Sequence, residues 1–208
     1  MIDLTTLFTY IAIVLGFVFI PGPATLLSTT RAVSSGTKVG IATGMGIAVG
    51  DLFHTSFAIV GISAIIATSA TLFTLIKYIG AAYLVYLGIR AMLEKTSLEA
   101  ATNKQSMTAT KAFYQAILIE VLNPKTALFF LAFLPQFVRA GSGPFVIQLA
   151  VLGIVFVFLG LFSTIVFSIS AGKLRRFLHR HPAALKWQGK IVGSIYCSLG
   201  ARLAFQEK

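Results

Sequence analysis

The feature that most constrains this chain is the length of its uninterrupted apolar runs. From residue 39 to residue 76 the only formally charged side chain is Asp51. A membrane-spanning helix uses about 20 apolar residues, so this run is too long for one span and must turn, near 67–69. Of the 208 residues, 57% are hydrophobic and 11% charged, whereas soluble domains carry roughly 25% charged residues. The sequence therefore predicts an all-α, polytopic membrane protein.

The apolar runs divide into six predicted transmembrane spans. They cover about 4–30, 39–67, 71–93, 112–137, 145–172 and 188–205. The most polar segment, about 94–110, is predicted to be a cytoplasmic loop between a first repeat, about 4–93, and a second repeat, about 111–206. Residues 173–190 are predicted to form a basic connector before the last and weakest span. The whole chain, 1–208, is thus expected to be a single transmembrane transporter domain.

The positions of Lys and Arg predict how these spans are oriented. Most of the 17 Lys and Arg residues fall on the side that carries the central loop and the basic connector. Because loops rich in Lys and Arg stay in the cytoplasm, both termini are predicted to lie outside it. Three spans in each half mean that the second half enters the membrane in the opposite sense. The predicted architecture is therefore two inverted three-helix repeats, which is common among secondary transporters.

Composition and motifs exclude several other classes of protein. The formal net charge of +11 does not indicate a nucleic-acid binder, because Lys and Arg lie between apolar runs and not on one solvated face. The single cysteine, Cys197, excludes an internal disulfide and a cysteine-rich metal site. No metalloprotease, serine-hydrolase or phosphate-loop motif occurs. The sequence predicts no enzyme activity, no metal site and no cofactor.

Each half of the chain has a proline-containing break in its first span. The residues at the two breaks are Pro21, Gly22 and Pro23 in the first span and Asn123, Pro124 and Lys125 in the fourth. Proline removes a helical hydrogen bond, and lipid tolerates the freed backbone groups only where protein or water satisfies them. Breaks at corresponding places in two halves indicate the substrate-binding site. The alternative for the first break is a plain structural kink.

Four ionisable residues within the apolar runs are candidates for the chemistry of the protein, because buried charge is costly there and usually functional. Lys125 is predicted to lie deep in the membrane and to meet a carboxylate of the protein or of a substrate; snorkelling is the alternative. Asp51 is a candidate for proton or cation coupling, and His54 shares its helical face three residues on. His54 equally fits a hydrogen-bonded core residue. Glu120 could neutralise Lys125, bind a cation or carry a proton, and the sequence does not rank these roles.

Small and aromatic residues are interpreted as packing elements. Gly46 and Gly50 have the GxxxG spacing that lets two helices approach closely, and Gly36 and Gly40 repeat it. The 18 Phe residues are expected to face lipid or other helices, including those at 129–130 and 156–158, and not to form a ligand cage.

Taken in order, these motifs resemble those of the LysE/RhtB superfamily of bacterial amino-acid exporters, of the homoserine, threonine and leucine efflux type. The resemblance covers nearly the whole chain. It is carried by Pro21-Gly22-Pro23, the glycine series ending at Gly50-Asp51, KYIGAAYL at 77–84 with YLG at 86–88, Asn123-Pro124-Lys125, and FFLAFLPQF at 129–137. Glu120 departs from it, because relatives often carry a neutral polar residue there.

The resemblance implies proton-coupled export, by antiport, of amino acids or their derivatives across the bacterial inner membrane. Asp51 or Glu120 would meet the substrate ammonium, and Lys125 with freed backbone N–H groups would meet its carboxylate. The implied partners are an amino-acid substrate, protons and the lipid bilayer. The alternative is a cation or metal-ion transporter of the same superfamily, which two buried acids allow but Lys125 and the lack of a His/Cys/Asp cluster oppose. The sequence does not decide whether the protein forms a homo-oligomer.

Overall fold

The computed structural model describes residues 2–19, 22–68, 70–93, 107–139, 141–180 and 182–205, and all regular secondary structure in these residues is helical. The first half contains α1 (Leu4–Phe19), α2 (Pro23–Ser35), α3 (Thr37–Thr68) and α4 (Ala70–Leu93). The second half contains α5 (Ala109–Val121), α6 (Pro124–Leu128), α7 (Phe145–Arg180) and α8 (Pro182–Phe205). Most of the predicted cytoplasmic loop, 94–106, lies outside the described residues, as does Pro21.

Helix breaks occur at both predicted positions. The axes of α1 and α2 meet at 48°, and those of α5 and the helical segment Pro124–Phe137 meet at 46°. Pro23 and Pro124 begin α2 and α6, where proline is well tolerated because its missing N–H would have no helical partner. In the second break, the side-chain oxygen of Asn123 caps α6 by accepting a hydrogen bond from the Lys125 N–H at 3.0 Å.

The second broken segment does not stay α-helical. After α6 the chain continues through a π turn, Phe129–Phe133, and a 3-10 turn, Leu134–Phe137. A π turn is rare and is often found at functional sites. Pro135 lies within the 3-10 turn, where its missing N–H breaks the regular hydrogen bonding.

Two helices are long and apolar enough to cross a membrane on their own, Thr37–Gly61 within α3 and Phe145–Lys173 within α7. Each bent pair adds one more span if it crosses the membrane as a unit, which gives up to four in the described residues. In the most apolar window of Phe145–Lys173 only 39% of the residues are buried. The remaining apolar side chains face outward, as expected of a helix that borders lipid.

The structure differs from the sequence-based prediction between residues 173 and 190. Helix α7 continues to Arg180 and α8 begins at Pro182, so most of the predicted basic connector is helical. Lys, Arg, Leu and Ala are strong helix formers, and Pro182 occupies the first helical position. The last helix is consequently longer than the predicted span, 188–205.

The aromatic residues form the core. The ring of Phe129 contacts those of Phe17 at 4.4 Å and Phe133 at 4.9 Å, measured between centroids. Phe156 of α7 joins the cluster, 4.9 Å from Phe130, whereas Phe158 is 67% exposed and faces outward. These side chains pack together as predicted, and Phe17 has a further role described below.

Glycines allow the helices to approach closely. A Cβ atom on Gly46 of α3 would collide with the Phe113 carbonyl oxygen of α5, and one on Gly50 would lie 2.5 Å from the Glu120 Cβ. Gly40 likewise packs against α2 and α7. The prediction for Gly36 is wrong. Gly36 lies between α2 and α3 with a φ of 97°, and a Cβ atom placed on it would have nothing within 4 Å, so it serves the turn and not a helix interface.

Candidate functional site

The two helix breaks meet at a small cavity of about 40 Å³. Gly22, Ala24 and Thr25 reach it from the first break, and Asn123, Lys125 and Thr126 from the second. Helix α3 contributes Asp51 and α7 contributes Gly160. The two breaks that proline placement singled out in the sequence therefore border one shared space, with Pro23 and Pro124 starting the helices whose first turns line it.

Lys125 brings a buried positive charge to this cavity. Its side chain is 8% exposed, and its ammonium lies 4.2 Å from the ring centre of Phe17 and 4.9 Å from that of Tyr196. Aromatic faces attract cations most strongly where water is excluded. A Cβ atom on Gly22 would lie only 2.5 Å from the Lys125 Nζ. Among the described residues, this ammonium has no hydrogen bond or ion pair.

Asp51 brings a buried carboxyl group to the same cavity. It is 3% exposed. Its Oδ2 faces Gly160 of α7 and would lie 3.5 Å from a Cβ atom placed on that glycine. The backbone carbonyl of Asp51 accepts a hydrogen bond from the Thr55 hydroxyl at 2.9 Å. Within the described part of the chain its carboxylate accepts no hydrogen bond, so this group is available to a ligand or a proton.

Glu120, in contrast, is held by its own helix break. The Asn123 side-chain amide donates to both carboxylate oxygens, at 3.1 and 3.2 Å, and the Thr126 hydroxyl donates to one of them. Glu120 is 1% exposed, and these three hydrogen bonds fix the position of its carboxyl group. The geometry makes Glu120 a brace between α5 and α6.

His54 does not line the cavity. Its Nε2 lies 2.8 Å from the backbone carbonyl oxygen of Glu120, and its ring stacks 6.0 Å from that of Phe130. The Glu120 carbonyl is in the last turn of α5 and also accepts a hydrogen bond from the Asn123 N–H at 2.9 Å. The histidine therefore donates to a carbonyl at the break, as expected of a hydrogen-bonded core residue.

The N-terminus of α2 also faces the cavity. Its capping residue, Gly22, has no side chain and provides no capping hydrogen bond. The first N–H groups of a helix have no helical acceptor and carry a partial positive charge. Because Ala24 and Thr25 line the cavity, a carboxylate there would meet these N–H groups together with the Lys125 ammonium.

A second cavity, of about 190 Å³, lies at the other end of the aromatic cluster. It is lined by Thr5, Thr6, Thr9, Phe133, Gln136, Phe137, Arg139 and Arg202. Phe17 lines the first cavity and Phe133 the second, and Phe129 contacts both rings. A continuous line of aromatic side chains thus connects the walls of the two cavities.

Comparison with known proteins places the chain in a family. The sequence pattern of the LysE type translocators matches residues 15–207. The chain belongs to the LysE type translocator family. LysE-family relatives include a membrane protein of Vibrio cholerae serotype O1, 32% identical over 97% of this chain and 98% of its own length. Another is the membrane protein YrhP of Bacillus subtilis (strain 168), 39% identical over 64% of this chain and 68% of its own length.

A third LysE-family relative is the leucine efflux protein of Salmonella typhimurium, which is 26% identical over 94% of this chain and 93% of its own length. No solved structure matches the chain. The predicted family resemblance is confirmed, and together with the membrane-spanning helices it makes this chain a multi-pass membrane protein.

Sequence reasoning missed several residues of this candidate site. Phe17 and Tyr196 were not singled out, although they surround the Lys125 ammonium, because nothing in the sequence shows that α1 and α8 approach α6. Thr126 follows the Asn123-Pro124-Lys125 motif directly and could have been found as a hydroxyl beside a buried acid. No group of three or more His, Cys, Asp or Glu residues occurs among the described residues, so no metal-ligand cluster accompanies the two acids there.

Proposed function

We propose that this protein is a secondary transporter that exports amino acids across the bacterial inner membrane in exchange for protons. The observation that carries the proposal is the pair of opposite charges in the cavity. The Asp51 carboxylate and the Lys125 ammonium both face it, and among the described residues neither has a hydrogen-bond or ion-pair partner. A zwitterionic amino acid supplies one charge for each of them.

Recognition of the substrate follows from this arrangement. The substrate carboxylate binds the Lys125 ammonium and the free N–H groups at the start of α2, and the substrate ammonium binds Asp51. Charged hydrogen bonds of this kind are about twice as strong as neutral ones. Phe17, Val18, Ile47 and Phe156 supply an apolar wall that suits an apolar side chain. The leucine efflux relatives support a branched apolar amino acid as the cargo.

Proton coupling follows from competition at Asp51. The carboxylate can hold either a proton or the substrate ammonium, and a site that holds one of two ligands at a time exchanges them. The burial of Asp51 favours neutralisation of its charge by one or the other. Glu120 and His54 take no part in the exchange and hold the helix break that positions Lys125.

The cavity corresponds to a closed state of the transporter. A volume of about 40 Å³ has room for a few water molecules but not for an amino acid with its side chain. Transport therefore needs the walls to move apart, first towards the cytoplasm and then towards the periplasm.

Six spans in two inverted repeats provide such motion. Helices α4 and α8 have 24 residues each, which is enough to cross a bilayer at 1.5 Å per residue. The packing of the helices supports the repeat. Helix α4 packs along α8 and α3 along α7, and exchange of the two halves would preserve both of these pairs. Both termini are then periplasmic.

Efflux from vesicles loaded with labelled amino acids tests the proposal. We expect export of leucine, with threonine and lysine as comparison substrates, and acceleration by an opposing proton gradient. Asp51→Asn and Lys125→Ala should each abolish export at equal protein levels. Asp3→Asn and Lys111→Ala are matched charge controls outside the cavity and should export normally. Normal export by both cavity variants would rule out the proposed site.

A further inference from the structure

Arg31 is a buried cation that does not line the cavity between the two helix breaks. Its side chain is 8% exposed in α2. The guanidinium donates to the Ala112 carbonyl oxygen at 2.9 Å and to the Gln115 side-chain oxygen at 3.0 Å, with a longer contact of 3.4 Å to the Thr43 hydroxyl. All of these acceptors are neutral. Within the described residues no carboxylate pairs with Arg31, although a buried charge normally has a counter-ion.

The bonds of Arg31 cross between the two halves of the molecule. Arg31 belongs to α2, whereas Ala112 and Gln115 belong to α5. Ala112 is in the first turn of α5, directly after the segment predicted to be the cytoplasmic loop. The side chain therefore fastens α2 to α5 on the cytoplasmic side of the cavity in the proposed orientation.

Buried hydroxyl groups connect Arg31 with the cavity. Thr25 and Thr164 line the cavity itself. Ser28, Thr43 and Ser168, which lie between these residues and Arg31 along α2, α3 and α7, are each 0% exposed. The Ser168 hydroxyl has no hydrogen-bond partner among the described residues. An unpaired buried hydroxyl is costly, and a polar substrate passing between these helices would satisfy it.

We propose that Arg31 binds the substrate carboxylate at the cytoplasmic end of the transport path. Its hydrogen bonds to α5 form a latch that keeps this end closed when no substrate is present. The inference rests on the proposed export of amino acids. When α2 and α5 separate, the guanidinium exchanges its neutral acceptors on α5 for the carboxylate of the incoming substrate. A carboxylate binds Arg more strongly than an amide or carbonyl group does, because two charged hydrogen bonds form in one plane. The substrate then passes along the buried hydroxyls to Lys125.

The sharpest test is Gln115→Glu, which keeps the size of the side chain and gives Arg31 a permanent carboxylate. We expect the melting temperature in detergent to be unchanged or raised, and leucine efflux to fall at least tenfold because the latch no longer opens to the substrate. The matched control is Gln115→Met, which removes the acceptor without adding charge and should keep efflux within about threefold of wild type. Normal efflux by a folded Gln115→Glu protein overturns the proposal.

A second measurement covers the case in which Gln115→Glu does not fold. Arg31→Gln should raise the internal leucine concentration for half-maximal efflux at least tenfold while the maximal rate changes much less, and Arg31→Lys should recover part of the affinity. An unchanged half-saturating concentration in Arg31→Gln also overturns the proposal. If wild-type vesicles export no amino acid at all, the proposed function fails instead, and that outcome is distinguishable because it does not depend on any Arg31 variant.

Discussion

Lys125 illustrates how a single residue can keep a charge in an apolar layer without a fixed counter-ion. Its ammonium lies over two aromatic rings and beside Gly22, whose missing side chain leaves room for it. Cation–π contacts are worth about 2 kcal/mol or more where water is excluded. They stabilise the charge without occupying its hydrogen-bond donors, so the donors remain available to a substrate carboxylate.

Gly22→Ala tests the position of this ammonium. The new methyl group would lie 2.5 Å from the Lys125 Nζ, and the flexible side chain would be displaced from its rings. The backbone itself is not strained, because Gly22 has an ordinary extended conformation with φ −88°. We expect leucine efflux to fall by about tenfold, which corresponds to about 1.4 kcal/mol, with little change in melting temperature.

Gly16→Ala is the control for that variant. Gly16 lies in α1, and nothing is within 4 Å of a Cβ placed on it. Alanine in a helix is about 0.5–1 kcal/mol more favourable than glycine, so this variant should be slightly stabilised and should export normally. Equal efflux by the two variants would show that the Lys125 position is unimportant.

Asp3 lies before the first membrane-spanning segment and provides a prediction about how the stability of the protein depends on pH. Hydrogen bonds from the Thr6 N–H and hydroxyl lower the pKa of the Asp3 carboxyl, and Arg139, with an Nη1 to Oδ2 distance of 2.8 Å, lowers it further. A lowered pKa contributes stability above the unfolded-state pKa, which is lost as the pH falls through the folded-state pKa. Melting curves of wild type and Asp3→Asn should therefore differ at neutral pH and begin to converge below about pH 4. A constant difference down to about pH 2 would contradict the assignment.

Broken helices are stable here because neighbouring helices satisfy their backbone groups. Val18 lies in the last turn of α1, and its carbonyl accepts a hydrogen bond from the Ser163 hydroxyl of α7 at 2.8 Å. Ser163 is 0% exposed. The second break uses His54 and the side chains of its own turn in the same way. Each break is thus a contact between elements and not a local feature of one helix.

Ser163→Ala should consequently destabilise the fold. It leaves the Val18 carbonyl buried without a donor, which costs about 1–3 kcal/mol. Ser56→Ala is the control, because the Ser56 hydroxyl is exposed and bonds the Leu52 carbonyl of its own helix at 2.9 Å. Chemical denaturation in detergent measures the stability of both variants. Similar unfolding midpoints for the two would contradict the role given to Ser163.

The sequence predicts the breaks better than it predicts the shape of the segments around them. Pro23 and Pro124 interrupt the helix through their own covalent structure, whatever packs around them. The starts of α2 and α6 therefore follow from the sequence. The π turn at Phe129–Phe133 does not, because it depends on how these rings pack against α1 and α7. The helical structure across 173–180 is not part of the prediction, which describes 173–190 only as a basic connector, although Lys and Arg are good helix formers.

At the scale of the whole molecule, two helices hold the halves together by backbone contact. A Cβ on Gly88 of α4 would lie 2.7 Å from the Gly193 carbonyl oxygen, and one on Gly193 of α8 would collide with the Gly88 carbonyl oxygen. Such reciprocal contact requires small residues on both helices. We expect Gly88→Val to reduce the yield of folded protein strongly, since neither backbone can move alone. Gly61→Val, at a position with nothing within 4 Å, should have little effect on yield.

The inverted topology can be tested with reactive cysteines. In a Cys197→Ser background, Lys111→Cys should be labelled only from the cytoplasm and Pro144→Cys only from the periplasm. The reason is that the start of α5 and the turn before α7 lie at opposite ends of the proposed fourth span. Membrane-impermeant maleimide applied to intact cells and to inverted vesicles measures this. Labelling of both positions from the same side would rule out the proposed arrangement of six spans.

The sequence singles out three charged residues that line the cavity, but not how each of them is held. Asp51, Glu120 and Lys125 stand out because charge is rare in these runs, and all three line the cavity. Their hydrogen bonds distinguish them: Glu120 is held by Asn123 and Thr126, whereas the Asp51 carboxylate accepts no hydrogen bond from the described residues. That difference depends on side-chain geometry at a break, which residue spacing along a regular helix cannot give.

The π turn at Phe129–Phe133 has a mechanical consequence. It holds one residue more than an α-helical turn needs, and each residue of an α-helix adds about 100° of rotation and 1.5 Å of rise. Conversion of this turn to α-helix would therefore rotate Phe133 and Phe137 around the helix axis and shift them along it. Those two rings line the second cavity, so a local rewinding of one turn would move two of its walls and open it sideways.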